Sequence, residues 1–152
     1  MESRGQRGFE DLDCYKLALG VLKEAYALAQ KLPRVERYNL ADQMRRSAAS
    51  VTLNVAEGYG RYHYLDCLRF YYVARGSLTE TLSAFITCEA VKYIDQTELA
   101  RLRALAHSAL RSLNGYIRYV RKQQQGRKEF GSQMLREDQP IYVVDPNDPV
   151  ND

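Results

Sequence analysis

Glu57, Glu80, His63, His107 and the three cysteines are the residues on which any chemistry would have to rest. Glu57 and Glu80, if brought face to face, would form a carboxylate pair suited to general acid–base work. His63 and Cys67 stand four apart, a spacing that puts two metal ligands on one helix face. Cys14, Cys88 or His107 would have to complete such a site, and nothing in the spacing requires it. A di-iron bundle needs Glu-x-x-His on two helices, and neither histidine has a glutamate three residues before it. Gly58-x-Gly60 is followed by His63 where a dinucleotide fingerprint takes glycine, and no strand precedes it. Serines are plentiful, but two histidines on separate helices suggest no Ser-His-acid arrangement. The residues point away from catalysis, a metal and a cofactor, and a non-enzymatic protein is expected.

Charge is the stronger signal. The chain of 152 residues carries a net charge of +3, but that number hides an asymmetry. Beyond Arg136 there is no lysine or arginine, while Glu137, Asp138, Asp145, Asp148 and Asp152 follow. The remainder holds 22 basic against 14 acidic residues. Between residues 99 and 128 there are eight basic residues and no acid. Five of them, Arg103, Arg111, Arg118, Arg121 and Lys122, fall on one arc of a helix at 100° per residue. A one-sign cationic stripe is the electrostatic footprint of phosphate binding, and arginine favours bidentate contact with phosphate. Arg45, Arg46 and Arg61 are candidates to widen it. No base-reading element stands out, so contact with RNA or DNA is expected through backbone and shape. A solvated face carrying charge for solubility alone would ordinarily mix both signs.

Helices must position these groups. Pro33 is the only proline before Pro140, and the apolar period between breaks is helical. A first helix over about residues 12–32 places Leu12, Tyr15, Leu19, Leu22, Tyr26 and Ala29 on its apolar stripe, and Pro33 stops it. A second, over about 36–57, carries Leu40, Met44, Ala48, Val51 and Val55 and ends at Gly58-Tyr59-Gly60. A third covers about 64–93. A fourth is capped by Asp95 or Thr97 and carries Leu99, Leu102, Ala106, Ala109, Leu113, Tyr116 and Val120. The expected fold is all-α, an antiparallel up-down-up-down four-helix bundle over 11–125, between an arm at 1–10 and a flexible acidic tail at 126–152. That tail is expected to screen the cationic face in the free protein.

Two helices carry more than a bundle needs. The third reads as apolar on two sides: Leu65, Leu68, Tyr72, Thr79, Leu82 and Ile86 on one, and Phe70, Val73, Ala74, Ser77, Ala84, Cys88 and Val91 on the other. One buried stripe suffices in an isolated bundle, so self-association is expected. On the second helix Gln43, Ser47, Ser50, Asn54, Glu57 and Arg61 share a narrow arc beside the apolar stripe. Half-buried, each would cost about 1–3 kcal/mol if left unpaired. Arg75, Ser77 and Glu80 are their candidate partners.

Three widely spaced cysteines without a CxxC motif suit a reducing cytoplasm. No apolar run of transmembrane length is present, and the first residues do not read as a secretory signal.

The motif Leu40-x-x-Gln43-x-Arg45-Arg46-Ser47-x-x-Ser50-Val51-x-x-Asn54-Val55-Ala56-Glu57-Gly58-x-Gly60-Arg61 is specific. Phe70-x-x-x-Ala74-Arg75-Gly76-Ser77-x-x-Glu80 follows it, and Phe9-x-x-Leu12 and Leu32-Pro33-x-x-Glu36 precede it. Across residues 9–119 the sequence resembles the bacterial four-helix-bundle proteins encoded in intervening sequences of 23S ribosomal RNA genes. The resemblance implies a homopentameric barrel, similar to the accessory variability protein of diversity-generating retroelements. That relative works with a reverse transcriptase and binds nucleic acid through a basic surface. It also implies that Asn54, Glu57, Arg61, Ser77 and Glu80 are structural or interface positions. Two functions follow as expectations: a non-enzymatic nucleic-acid-binding accessory protein, or a scaffold that docks a polymerase or other enzyme.

Overall fold

The computed structural model describes residues 8–130. Four long helices form the body: α1 (Asp13–Lys31), α2 (Leu40–Tyr59), α3 (Tyr64–Ala90) and α4 (Gln96–Gln123). A short α5 (Arg127–Phe130) closes the described chain, and 3-10 turns at Phe9–Asp11 and Arg34–Glu36 precede α1 and α2. α1 packs on α2 and α4, and α3 packs on the same two, so α2 and α4 stand diagonally across the bundle. No strand occurs among the described residues.

α2 and α4 bury the residues their periodicity foretells. Leu40, Met44, Ala48, Val51 and Val55 are buried on α2. On α4 Leu99, Leu102, Ala106, Ala109 and Leu113 are buried, joined by Ile117, while Tyr116 and Val120 pack at the core's edge. Asp95 caps α4 by accepting the Glu98 N–H at 2.8 Å.

α1 departs from the expected stripe. Its buried face is Cys14, Ala18, Val21, Ala25, Leu28 and Ala29, and Tyr26 is 44% exposed. Small side chains admit a close helix approach, while the larger Leu12, Tyr15 and Leu22 wedge in from the flank. α3 departs too. The true core stripe, Cys67, Tyr71, Ala74, Leu78, Thr81, Phe85 and Cys88, runs between the two apolar sides read from its sequence and takes Ala74 and Cys88 from the second. Contact with both α2 and α4 widens the buried arc, so Leu68, Leu82 and Ala84 are covered while Val73, Ile86 and Val91 remain exposed.

The loops are tied by side chains. α2 begins at Leu40 rather than near residue 36, because Glu36 acts on its first turn from outside. One carboxylate oxygen accepts from Asn39 Nδ2 (2.9 Å) and the Leu40 N–H (3.3 Å); the other accepts from the Tyr93 hydroxyl (2.9 Å). At the opposite end residues 124–130, the described part of the segment expected as a tail from 126, are tied to the chain before α3. The Tyr64 N–H donates to the Gln125 carbonyl (3.0 Å), and the Tyr62 hydroxyl donates to Glu129 (3.3 Å). Gly126, at φ +82°, lies so close to His63 that a Cβ would sit 3.1 Å from its ring. The acidic run from Glu137 onward lies outside the described residues.

Candidate nucleic-acid interface

Two polar regions distinguish this bundle, and they differ in what their groups touch. The first is the seam between α2 and α3. Thr81 Oγ1 lies 2.9 Å from both Ser47 Oγ and the Ser77 carbonyl, sharing one proton between them. Ser47 in turn donates to the Met44 carbonyl (3.2 Å). Ser50 Oγ and Ser77 Oγ are 2.8 Å apart, and Asn54 Nδ2 donates to the Ser50 carbonyl (2.8 Å) and hydroxyl (3.0 Å). The expected polar row thus stitches two helices, with Ser77 as its partner and Thr81 as one that its apolar position had concealed. Gly58 lets the same helices close at the lower end: a Cβ there would lie 2.6 Å from the Tyr71 ring and 3.0 Å from the Cys67 carbonyl.

The row's outer members do not join the network. Glu57 is paired with Arg61 one turn on, and the Arg61 guanidinium lies 4.9 Å from the Phe70 ring. Arg75 lies over Tyr72 at 5.1 Å. Glu80 is exposed and lines a cleft of about 370 Å³ with Glu36, Gln43 and Ser47. Glu57 and Glu80 do not meet. With Ser50 opposite Ser77 on antiparallel helices, they fall ten residues out of step, roughly 15 Å along the axis. His63 and Cys67 each serve the local backbone: Nδ1 accepts the Leu65 N–H (3.2 Å), and the thiol donates to the Arg61 carbonyl (3.2 Å). Burial raises the Cys67 thiol above its ordinary value and pushes Cys14 and Cys88 to about 11, which keeps them protonated. Among the described residues no cluster of three or more His, Cys, Asp or Glu is placed to hold a metal ion.

The second region is the outer face of α4. Arg103, Arg111, Arg118, Arg121 and Lys122 are all exposed on it. None of the five forms an ion pair among the described residues; Arg111 donates to Ser108 Oγ at 3.1 Å. Arg45, Arg46, Arg61 and Arg101 are neutralised, whereas Arg34, Arg37 and Arg69 on other elements form no ion pair among the described residues either. Arg101 points off the ridge, held by Glu24 of α1 (2.7 Å) and by Glu98 of its own helix (2.8 Å), and its hydrogen bonds lower both carboxyls below their ordinary range. Arg46 pairs with Asp42 at 3.0 Å. Arg45 reaches Asp42 at 3.9 Å and donates to the Arg37 carbonyl. These two cannot widen the ridge, because α2 stands diagonally from α4. Arg121 and Lys122 also suit the negative end of the α4 dipole, but Arg103, Arg111 and Arg118 have no such local reason to be there.

Sequence reasoning missed one further feature beside the ridge. The rings of Tyr71 and Tyr116 are 5.2 Å apart and those of Tyr116 and Tyr119 are 6.1 Å apart, the latter stacked with 18° between planes. Tyr119 is 57% exposed.

Together these define a class: an antiparallel helical bundle with a serine-lined internal seam and a cationic α4 face that forms no ion pair among the described residues. Over residues 10–115 the sequence matches the family of 23S rRNA-intervening sequence proteins, and the chain belongs to that family. The fold is similar to a crystal structure from Bacteroides thetaiotaomicron, a protein of unknown function from the S23 ribosomal protein family. The TM-score is 0.63 at 16% identity, covering 68% of this chain and 97% of that one. No curated protein matches the sequence. No described helix is long and apolar enough to cross a membrane.

Proposed function

We propose that this protein is a self-associating, non-enzymatic accessory protein that holds RNA or DNA by its backbone phosphates on the outer face of α4. The observation that carries the reading is the concentration of unmatched cations on one face of one helix. Arg46, Arg61 and Arg101 are matched to carboxylates, while the five cations of the ridge are matched to none among the described residues. Cations that fold stability does not use are available to an external polyanion.

Self-association draws support from apolar side chains left in water on the α2/α3 pair. Leu53 is 67% exposed, Val73 47% and Val91 50%. Five copies is the number the family resemblance implies. The same face would also suit a protein partner such as a polymerase, the competing reading.

Light scattering on the eluting protein, with and without a structured RNA at low and high salt, tests both halves. The expected result is five times the 17.5 kDa chain mass, rising with RNA at low salt and falling back at high salt. If all five cations engage a single strand, the log–log salt slope is about −3 to −4. An oligomer indifferent to RNA and DNA would contradict the nucleic-acid half and leave the docking scaffold. A monomer would contradict self-association.

A further inference from the structure

The exposed Tyr119 ring adjoins the cationic ridge and is held from behind. One face stacks on Tyr116, which is half-buried and braced by the fully buried Tyr71. An exposed tyrosine is ordinarily free to rotate away, whereas this one is backed by two rings rooted in the core. Helical side chains lean toward the N-terminus, so the ring overhangs the turn that carries Gly115, four residues earlier. Gly115 leaves that turn open: a Cβ there would have only the Arg118 guanidinium nearby, at 3.8 Å. Glycine within a helix is unfavourable, and nothing packs against this one that alanine would disturb. Lys122, three residues beyond Tyr119, flanks the ring on its other side.

We propose that Tyr119 is a stacking shelf for an unpaired base, with Gly115 giving the base room and Arg118 and Lys122 holding the phosphates on either side of it. The inference rests on the phosphate-binding reading of α4 and deepens it. The preferred ligand is single-stranded or looped nucleic acid, because the bases of a continuous duplex present no open ring face to a side chain. Ring stacking beside a cationic track recognises any base, which agrees with a ridge that has no base-reading group.

The test is fluorescence anisotropy with the full chain, using a labelled unstructured 15-nucleotide single strand and the same strand annealed to its complement. Tyr119→Ala should weaken single-strand binding about tenfold and duplex binding less than twofold. Tyr119→Phe keeps the ring and should retain wild-type affinity. Gly115→Leu fills the gap without altering charge and should weaken the single strand alone. Arg103→Glu with Arg111→Glu lies outside the shelf and should weaken both ligands. If Tyr119→Ala is silent, or weakens both ligands equally, while the arginine pair still weakens both, the shelf is overturned and the phosphate ridge stands. If the wild-type chain binds neither ligand, the ridge reading falls and the shelf with it.

Discussion

The α2/α3 seam and the outer face of α4 are both polar, yet the bundle treats them in opposite ways. In the seam each hydroxyl or amide answers another: Thr81 with Ser47, Ser50 with Ser77, Asn54 with Ser50. On the outer face of α4 the five ridge cations answer nothing among the described residues beyond one serine. A buried polar group must be satisfied within the fold, because losing its partner there costs free energy. An exposed guanidinium is satisfied by water until a better anion arrives. The seam therefore reports on how the bundle holds together, and the ridge, in the function proposed above, on what it meets.

Two glycines sharpen that comparison most. Gly58→Ala should destabilise the protein by about 2 kcal/mol, since the added methyl collides with Tyr71 and the Cys67 backbone and overpacking in a core typically costs 1–3 kcal/mol. Chemical denaturation measures it. A smaller effect is expected from the hydroxyl network: Thr81→Val should cost about 1 kcal/mol, and a double-mutant cycle with Ser47→Ala should show the two coupled. An additive cycle would mean the seam's geometry contributes nothing beyond its separate residues. On α4 the sign reverses. Gly115→Ala should stabilise by about 0.5–1 kcal/mol, because it adds helix propensity at an open position.

The smallest effect concerns pH and the two loops at the Glu36 end. The Tyr93 hydroxyl, the Leu40 N–H and Asn39 hold the Glu36 carboxyl below its ordinary 4.5. A carboxyl lowered in the folded state contributes stability that is present above pH 4.5 and is lost as pH falls through the lower folded value. Tyr93→Phe should lower the melting temperature at pH 7 and lose that effect as the pH falls far enough below 4.5 to protonate Glu36, as thermal scans along a pH series would show. An equal loss across the series would assign the effect to packing of the ring instead.

The comparison also separates what was legible in the sequence from what was not. α2 and α4 could be read because large apolar residues recur on their buried faces. α1 could not, because its buried face consists largely of Cys14, Ala18 and Ala25, which periodicity counts weakly against Leu19 and Tyr26. α3 was misplaced for another reason: its buried arc carries apolar residues at both edges, Leu68 and Leu82 on one and Ala84 on the other, and the edges look like separate faces. The cations of the ridge were legible because charge is exposed by default. Their lack of partners was not, since Arg101 finds Glu24 across 77 residues of sequence. The shelf was hidden too, because Tyr119 depends on Tyr116 and Tyr71 from another helix.

The central claim is that unmatched cations, rather than net positive charge, make the interface. It is tested most directly by RNA-binding titrations of two variants that change charge equally. Arg111→Glu with Arg118→Glu alters the ridge, and Arg46→Glu with Arg61→Glu alters arginines already paired with carboxylates. The ridge pair should lose at least tenfold in affinity at low salt with its melting temperature nearly unchanged, while the α2-side pair should bind within about threefold of wild type. Equal losses in both variants would contradict the claim and reduce the interaction to overall charge.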